Sequence, residues 1–505
     1  MHEDEVETPG ASGTDVRLER LERTVAALLD RLGEGPLGPV EHELSGPPSA
    51  PTASETSDGA YQDAESSAAP VMVIRDLATD STIKPFPDPR PLGKVLDDLI
   101  SPELALTLVS IFAEHYGRWV LLDADGDAAS LLPRIKKSPI LFCACCLIAV
   151  RHTSEELAAF LAPKLYESAR SSISNTLLTA PQSVEFFQAV LILCMWSTTV
   201  GQVPLSIDSW LLSGFALQHT QSSPLFATVT AQSLPTRLDD KALNMCCLWN
   251  HLCLAHLHYC VGTSRRSMLQ GWQIERSRAI INSDHAINFE VRMVAEIHLY
   301  WTVYENLIQD TVDLLKSVGA LQTWRRKWEF VLGTSPLLFD SANHINTPRA
   351  RESLVSEMIR HSTAIIRLAM DTVDERTRHL SDHIYHMITF AAIIICRLVN
   401  SYEQQLSSSY SIPELDELIR DLVSWLHSIG LPCHAAHTLG NIIAKVHQKL
   451  RPCVEVVLEP MEEFPDRKLR KLLLPEFLGL GTSGDGELGL LPDLSFFLKH
   501  RTLDI

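Results

Sequence analysis

Apolar side chains recur every three or four residues along most of the chain beyond Leu92, and almost no segment alternates as a half-buried strand does. Several stretches open with helix-start signals. Ser101-Pro102-Glu103 supplies an N-cap, a proline at N1 and an acid in the first turn, and Ser138-Pro139 precedes the apolar run 140–150. The pattern predicts an all-α, multi-helix body of about a dozen helices over 92–454. Further helices are expected over 186–196, 206–219, 240–260, 288–316, 351–372, 381–400, 412–429 and 434–450.

A heptad-like pattern precedes this body. Residues 1–14 are acidic and glycine-containing, which predicts a disordered N-terminus. Residues 15–32 then place apolar side chains at alternating steps of three and four, namely Leu18, Leu21, Val25, Leu28 and Leu32. This spacing predicts a short coiled-coil helix that could form a homodimer or a heterodimer. A short amphipathic helix packed on its own chain fits two heptads equally well.

Two segments outside the body have biased compositions. Residues 33–91 are rich in proline and serine, which predicts a disordered linker. The tail, 455–505, contains a basic cluster that is a candidate nuclear import signal, formed by Arg467, Lys468, Arg470 and Lys471. It also interleaves acids with bulky apolar residues, as activation segments do, at Asp485, Glu487, Leu490, Leu491, Asp493, Leu494, Phe496 and Phe497. The alternative is that these apolar residues fasten the tail to the helical body.

Charge and cysteine content narrow the class of protein. The chain has 505 residues, with 43 Lys plus Arg against 62 Asp plus Glu, and a net charge of −19. Because phosphate binding needs a basic surface, any DNA contact must come from a local basic element or from a partner. The eleven cysteines stand mostly in apolar helical sequence, and no signal-peptide or membrane-spanning pattern is visible. We therefore expect a soluble intracellular protein without membrane contacts.

Sequence motifs for catalysis are absent, including the phosphate loop, Gly-x-Ser-x-Gly and His-Glu-x-x-His. Residues 246–260 concentrate cysteine, histidine and tryptophan, and Cys253, His256 and Cys260 share a helix face that could hold zinc. A buried core helix is the stronger interpretation, because free cysteine packs as a small apolar residue. Gly262 is expected to end this helix, followed by Arg265 and Arg266. We expect no catalytic residues, no metal and no cofactor.

The order of several motifs resembles the regulatory middle homology region of fungal binuclear zinc-cluster transcription factors. The resemblance covers roughly residues 15–400. It is carried by Phe112, His115 and Trp119, by Ser138-Pro139-Ile140-Leu141, by Gln188 to Leu193 with Trp196, by Trp210, Gly214 and Ala216, by Leu248 to His256 with Gly262, Arg265 and Arg266, and by Trp324 to Trp328. The nearest subgroup includes regulators of secreted proteases and of secondary metabolism. The resemblance implies a non-enzymatic nuclear regulator of RNA polymerase II genes that contacts the transcription machinery.

One part of the family pattern is not found. The family's DNA-binding module is a six-cysteine zinc cluster placed before the coil, and the first cysteine here is Cys143. DNA binding is therefore expected only if an upstream module or a partner supplies the contacts. Either the cluster lies upstream of Met1, or the chain is a regulator without its own DNA reader. The alternative function is an intracellular all-α protein that binds a small molecule, or an enzyme without a recognisable motif.

Overall fold

The computed structural model describes residues 92–122, 127–196, 207–230, 239–282, 288–308, 313–332, 348–372 and 375–452. All of them belong to the unit Thr82–Ile505. The residues predicted to form the coil, the linker and the tail lie outside the described ranges, and those predictions stay predictions.

Helices form all the regular structure of the described residues, and none of these residues forms a strand, so the predicted all-α fold is confirmed. Sixteen α-helices occur here, rather than about a dozen. They are α1 Leu92–Leu99, α2 Pro102–Tyr116, α3 Ala128–Lys136, α4 Pro139–Ala149, α5 Glu155–Thr176, α6 Val184–Trp196, α7 Ser209–Ser222, α8 Ala227–Thr230, α9 Asp240–Thr263, α10 Gly271–Arg276, α11 Asn288–Leu307, α12 Leu314–Leu332, α13 Pro348–Asp371, α14 Asp382–Leu406, α15 Ile412–Ile429 and α16 Ala435–Leu450. Short 3-10 turns cover Gly117–Val120, Val150–His152, Pro224–Phe226, Ser277–Asn282 and Glu375–His379.

The helix starts follow the capping signals in the sequence. The Ser101 hydroxyl accepts a hydrogen bond from the Leu104 amide at 3.3 Å, and the Ser138 hydroxyl accepts one from the Leu141 amide at 3.5 Å. Each bond satisfies an amide that the helix itself leaves unpaired. The predicted starts of α2 and α4 are therefore confirmed.

Two sequence-based boundaries are wrong. The single helix expected over 288–316 ends at Leu307, and α12 begins at Leu314. Asp313 starts the new helix, because its carboxylate accepts a hydrogen bond from the Lys316 amide at 3.1 Å. Helix α9 also continues through Gly262 to Thr263, and the left-handed residue that ends it is Ser264, at φ 54°.

A first hydrophobic core is formed by the buried apolar side chains of 96–328. Helices α4 and α6 are apolar on every side and are buried along almost their full length, as predicted for central helices. Helix α9 packs against α7, α11 and α6, and both Trp196 and Trp249 are fully buried. The histidine- and cysteine-rich helix is therefore a core element, as the sequence predicted.

A second hydrophobic core is formed by the buried apolar side chains of α13 to α16. Helix α14 packs against α13, α15 and α16, and it also touches α6 of the first core. Its length and composition would allow it to cross a membrane, but 61% of its most apolar stretch is buried inside the protein. That burial is typical of a core helix. Because α14 belongs to the second core and also touches α6 of the first, it lies where the two cores meet.

Candidate functional site: a histidine seam between two cores

A buried ion pair joins the two cores. Arg151 lies in the turn that follows α4, and Asp382 is the first residue of α14. The guanidinium Nη1 lies 3.2 Å from Oδ1, and Nη2 lies 3.4 Å from Oδ2. The two side chains are only 1% and 0% exposed, so water does not solvate either charge. Each group therefore depends on the other for compensation, and the pair fixes the start of α14 against the end of α4.

Histidines and a tyrosine surround this pair, and we call the set His115, Tyr116, His152, His379 and His434 the histidine seam. The Tyr116 hydroxyl lies 2.6 Å from His152 Nε2 and 3.1 Å from His379 Nδ1. Because a hydroxyl has one proton, it donates to one imidazole and accepts from the other. The rings of His115 and His379 stack with their centroids 3.8 Å apart. The seam thereby links α2 to the turns on either side of the junction.

Burial keeps the imidazoles of His152 and His379 neutral. Burial is the largest cause that lowers the pKa of His152 to about 2, with smaller contributions from His379, His434 and Arg151. Burial likewise lowers the pKa of His379 to about 4, with a smaller contribution from His115. Desolvation penalises the charged imidazolium, so both side chains are uncharged at neutral pH. The seam therefore works through directional hydrogen bonds and stacking rather than through charge.

His434 uses both of its ring nitrogens within the protein. Nδ1 accepts a hydrogen bond from the Ala436 amide at 3.1 Å and so caps α16, while Nε2 donates to the Arg378 carbonyl at 3.0 Å. A Cβ atom at Gly430 would lie 2.8 Å from the His434 ring, so this close approach requires glycine. Burial lowers the pKa of His434 to about 4. The ring thus connects α16 to the turn that precedes α14.

A second histidine pair lies one residue further along α14. The rings of His258, on α9, and His383 stack with their centroids 3.9 Å apart. The Tyr300 hydroxyl, on α11, lies 2.6 Å from His383 Nε2. Burial holds the pKa of His383 well below its usual range. The first residues of α14 are therefore held to the turn after α4 by the ion pair, to α11 by a hydrogen bond and to α9 by ring stacking.

The arrangement favours a structural role over a metal site. No group of three His, Cys, Asp or Glu side chains among the described residues is placed to hold a metal ion. In α9, His256 uses both ring nitrogens, because Nδ1 lies 3.0 Å from the Ser213 hydroxyl and Nε2 accepts from the Met268 amide at 3.2 Å. Burial raises the pKa of Cys260 to about 12, so this thiol stays protonated and is a poor zinc ligand.

Sequence reasoning did not identify the ion pair or the seam. A signal was present, since Arg151 and His152 directly follow the most apolar run of the chain, where a charge needs a buried partner. Of the seam, only His115 was singled out from the sequence, as part of a family-like motif. The predicted coil residues, the basic cluster at 467–471 and the acidic–apolar residues at 485–497 fall outside the described residues.

The helical body matches a known family over most of its length. Residues 98–450 fit the sequence profile described as the middle domain of the transcriptional activator of proteases prtT. The chain belongs to the prtT middle-domain family. The resemblance to the regulatory region of fungal transcription factors is thereby confirmed, and the prtT-type match includes every residue of the histidine seam.

Similar proteins come from several fungi. The chain is 25% identical over 348 residues to a transcriptional activator of proteases prtT of Aspergillus clavatus, covering 65% of this chain and 54% of that protein. It is 28% identical to an uncharacterized transcriptional regulatory protein of Schizosaccharomyces pombe, covering 70% of each. An Aspergillus fumigatus prtT is 26% identical, covering 65% and 48%. The chain thus spans about half the length of these Aspergillus relatives. No solved structure matches.

Proposed function

We propose that this chain is a fungal transcription regulator that acts in the nucleus on RNA polymerase II genes, such as those for secreted hydrolases or a secondary-metabolite pathway. The prtT middle domain, which accounts for nearly the whole helical body, carries this proposal. The relatives named above are activators of proteases or transcriptional regulatory proteins. A regulatory role also agrees with the hydrogen bonds of the seam. His152 Nε2 bonds to the Tyr116 hydroxyl, and both ring nitrogens of His434 bond to the backbone.

The proposed contacts are divided among the segments of the chain. The helical body serves as the regulatory scaffold, and residues 18–32 are proposed to pair with a second copy or a related regulator. DNA contacts are proposed to come from an upstream zinc module or from that partner, because the net charge of −19 disfavours phosphate binding by the body. The acidic–apolar segment 485–498 is proposed to bind the transcription machinery when it is accessible.

Deleting the gene in its own fungus tests the regulatory function. We expect a coherent set of transcripts to fall several-fold in the deletion strain and to recover when the wild-type gene is returned. An epitope-tagged chain should be enriched at the promoters of the same genes by chromatin immunoprecipitation. An unchanged transcript profile, with no enrichment at any promoter, would contradict a role in transcription.

Nuclear import through 467–471 is a separate prediction. The triple variant Lys468→Ala, Arg470→Ala, Lys471→Ala is expected to lower the nuclear-to-cytoplasmic ratio of a fluorescent fusion several-fold, because import receptors recognise clustered basic charge. The matched control removes three basic residues of α12, with Lys316→Ala, Arg326→Ala and Lys327→Ala. Equal nuclear accumulation of the tail variant and this control would assign import to another segment.

A further inference from the structure

Helix α14 presents an apolar surface to solvent along its first five turns. Between Asp382 and Val399 the exposed residues are Met387, at 43%, and Phe390, at 40%. The two charged residues of this stretch, Asp382 and Arg397, are both buried. A helix at the surface of a globular body usually turns polar or charged side chains outward. The outward side of α14 therefore lacks the residues that contact with water favours.

Helix α13 adds two exposed apolar residues, Ile365 at 40% and Leu368 at 71%. The two helices pack together and run antiparallel, because the end of α13 leads into α14, while the start of α13 lies beside the far end of α14. There the Tyr410 hydroxyl donates to the Ser356 carbonyl at 3.0 Å. The exposed residues of the two helices therefore lie at the same level of this helical hairpin. We give the name hairpin face to the set Ile365, Leu368, Met387 and Phe390.

The charged side chains of α13 lie on a different side of the helix. Arg360, Arg367 and Asp371 are exposed, and their spacing of seven and four residues places them on one stripe. That stripe is about a third of a turn away from the stripe of Ile365 and Leu368, since successive residues are about 100° apart. The hairpin face is therefore an uncharged surface with charge to one side of it, as at the core and rim of an interface.

We propose that the hairpin face binds the same face of a second copy of this chain across a twofold axis. Each copy has a net charge of −19, so two copies repel each other and associate most readily where no like charges meet. The hairpin face meets this condition, because all four of its side chains are uncharged. A twofold axis pairs a patch with itself, and an apolar patch is complementary to its own copy without a matching pattern of charges.

The size of the face fits a reversible dimer. Its four residues expose roughly 400 Å² in each copy, taking about 200 Å² for a whole residue of this size. Pairing two such faces buries roughly 800 Å² of apolar surface. Because homodimer interfaces are about 65% apolar, the whole contact comes to about 1,200 Å², at the lower end of specific interfaces. We therefore expect a dimer that dissociates on dilution rather than an obligate one.

Cations distinguish other exposed aromatic side chains from the hairpin face. The Lys164 ammonium lies 3.4 Å from the ring centroid of Phe160, and the Arg276 guanidinium lies 5.4 Å from that of Trp272. A second copy would meet a charge at either place. Within the described part of the chain, no such cation covers the ring of Phe390. The hairpin face is therefore the exposed apolar surface that is best suited to contact with itself.

The test measures self-association of the full chain by sedimentation velocity, from about 1 µM to about 200 µM. Every sample has Leu21→Pro, which breaks any helix at 18–32, so the predicted coil cannot contribute. This chain should form a dimer that dissociates on dilution. Adding Leu368→Glu and Met387→Glu should raise the dissociation constant about tenfold or more, because carboxylates then face each other across the axis. The matched control, Phe160→Glu with Leu178→Glu, adds the same charge at other exposed positions and should change the constant less than about twofold.

Hydrogen exchange in the same samples supplies a second readout. Amides of 361–372 and 384–394 should exchange more slowly as the concentration of the Leu21→Pro chain rises, and the face variant should lose this effect. If the face variant melts at a lower temperature, Leu368→Glu alone, at the most exposed of the four positions, should still weaken the dimer several-fold.

Three results would overturn the proposal. The first is a Leu21→Pro chain that stays monomeric at the highest concentration. The second is equal weakening of the dimer by the face substitutions and by the matched control. The third is protection of the hairpin face that does not depend on concentration, because it would place a segment of the same chain there. The contact does not depend on what the chain regulates, so each of these results leaves the proposed role in transcription unchanged.

Discussion

Replacing Asp382 with alanine is expected to lower the free energy of unfolding by about 3–5 kcal/mol, one of the largest single-residue effects in this fold. The substitution leaves the Arg151 guanidinium buried and without its carboxylate partner, at a site where the two side chains are 1% and 0% exposed. An uncompensated charge in such surroundings costs far more than the pair itself contributes. Urea unfolding at pH 7.5, followed by circular dichroism, measures the change.

Two further variants separate the buried charge from general effects of the substitution. Glu357→Ala removes a partly exposed ion pair with Arg360 on α13 and should cost less than about 1 kcal/mol. The double variant Arg151→Met, Asp382→Leu replaces the buried pair with apolar side chains and should recover most of the lost stability. If Asp382→Ala costs no more than Glu357→Ala, the pair is not desolvated in solution, and the junction between the cores is more open than described.

Stability is expected to fall steeply as the pH drops below about 6.5. Burial lowers the folded-state pKa of His251 to about 3 and those of His256 and His434 to about 4. An unfolded chain binds protons at its histidines near pH 6.5, so between about pH 4 and 6.5 it holds protons that the folded chain does not. Each such histidine contributes a slope of up to about 1.4 kcal/mol per pH unit. The stability they contribute is therefore fully present above pH 6.5 and is lost on acidification.

His251 offers a direct check on this mechanism. Its ring packs between Trp119 and Phe289 in the first core. His251→Phe should reduce the slope of the unfolding free energy against pH by up to about 1.4 kcal/mol per pH unit between pH 4 and 6.5, which is the contribution of one proton. A packing difference between the two rings is independent of pH and leaves the slope unchanged. An identical slope in the variant would mean that the His251 ring is protonated while folded.

The sequence predicted the helices better than it predicted their junction. The helical spacing and the serine caps identified α2 and α4 because these signals are local. The break between α11 and α12 was missed, because Asp313 acts through a capping bond that competes with a continuous apolar pattern. Ser264 rather than Gly262 ends α9, because a non-glycine residue can take the left-handed conformation at a modest cost.

The ion pair and the seam could not be derived in the same way. Arg151 and Asp382 are 231 residues apart, and no periodic pattern around either residue indicates that their side chains meet. The histidines of the seam are likewise scattered over α2, two 3-10 turns and the start of α16. Each one alone fits a solvent-exposed residue as well as a buried one. Only their convergence on Tyr116 and Asp382 reveals a shared structural purpose, and that convergence is a property of tertiary structure.

The separation of 231 residues also has a consequence for biosynthesis. Ribosomes add roughly 5–20 residues per second, so Arg151 is synthesised about 10–50 s before its carboxylate partner. During that interval the Arg151 guanidinium has no Asp382 carboxylate beside it, and the surface of the first core that later contacts α14 faces water. The nascent chain is thus in its most aggregation-prone form while half-made. The order of synthesis therefore makes the surface that receives α14 the place where a nascent chain is open to contact with other chains.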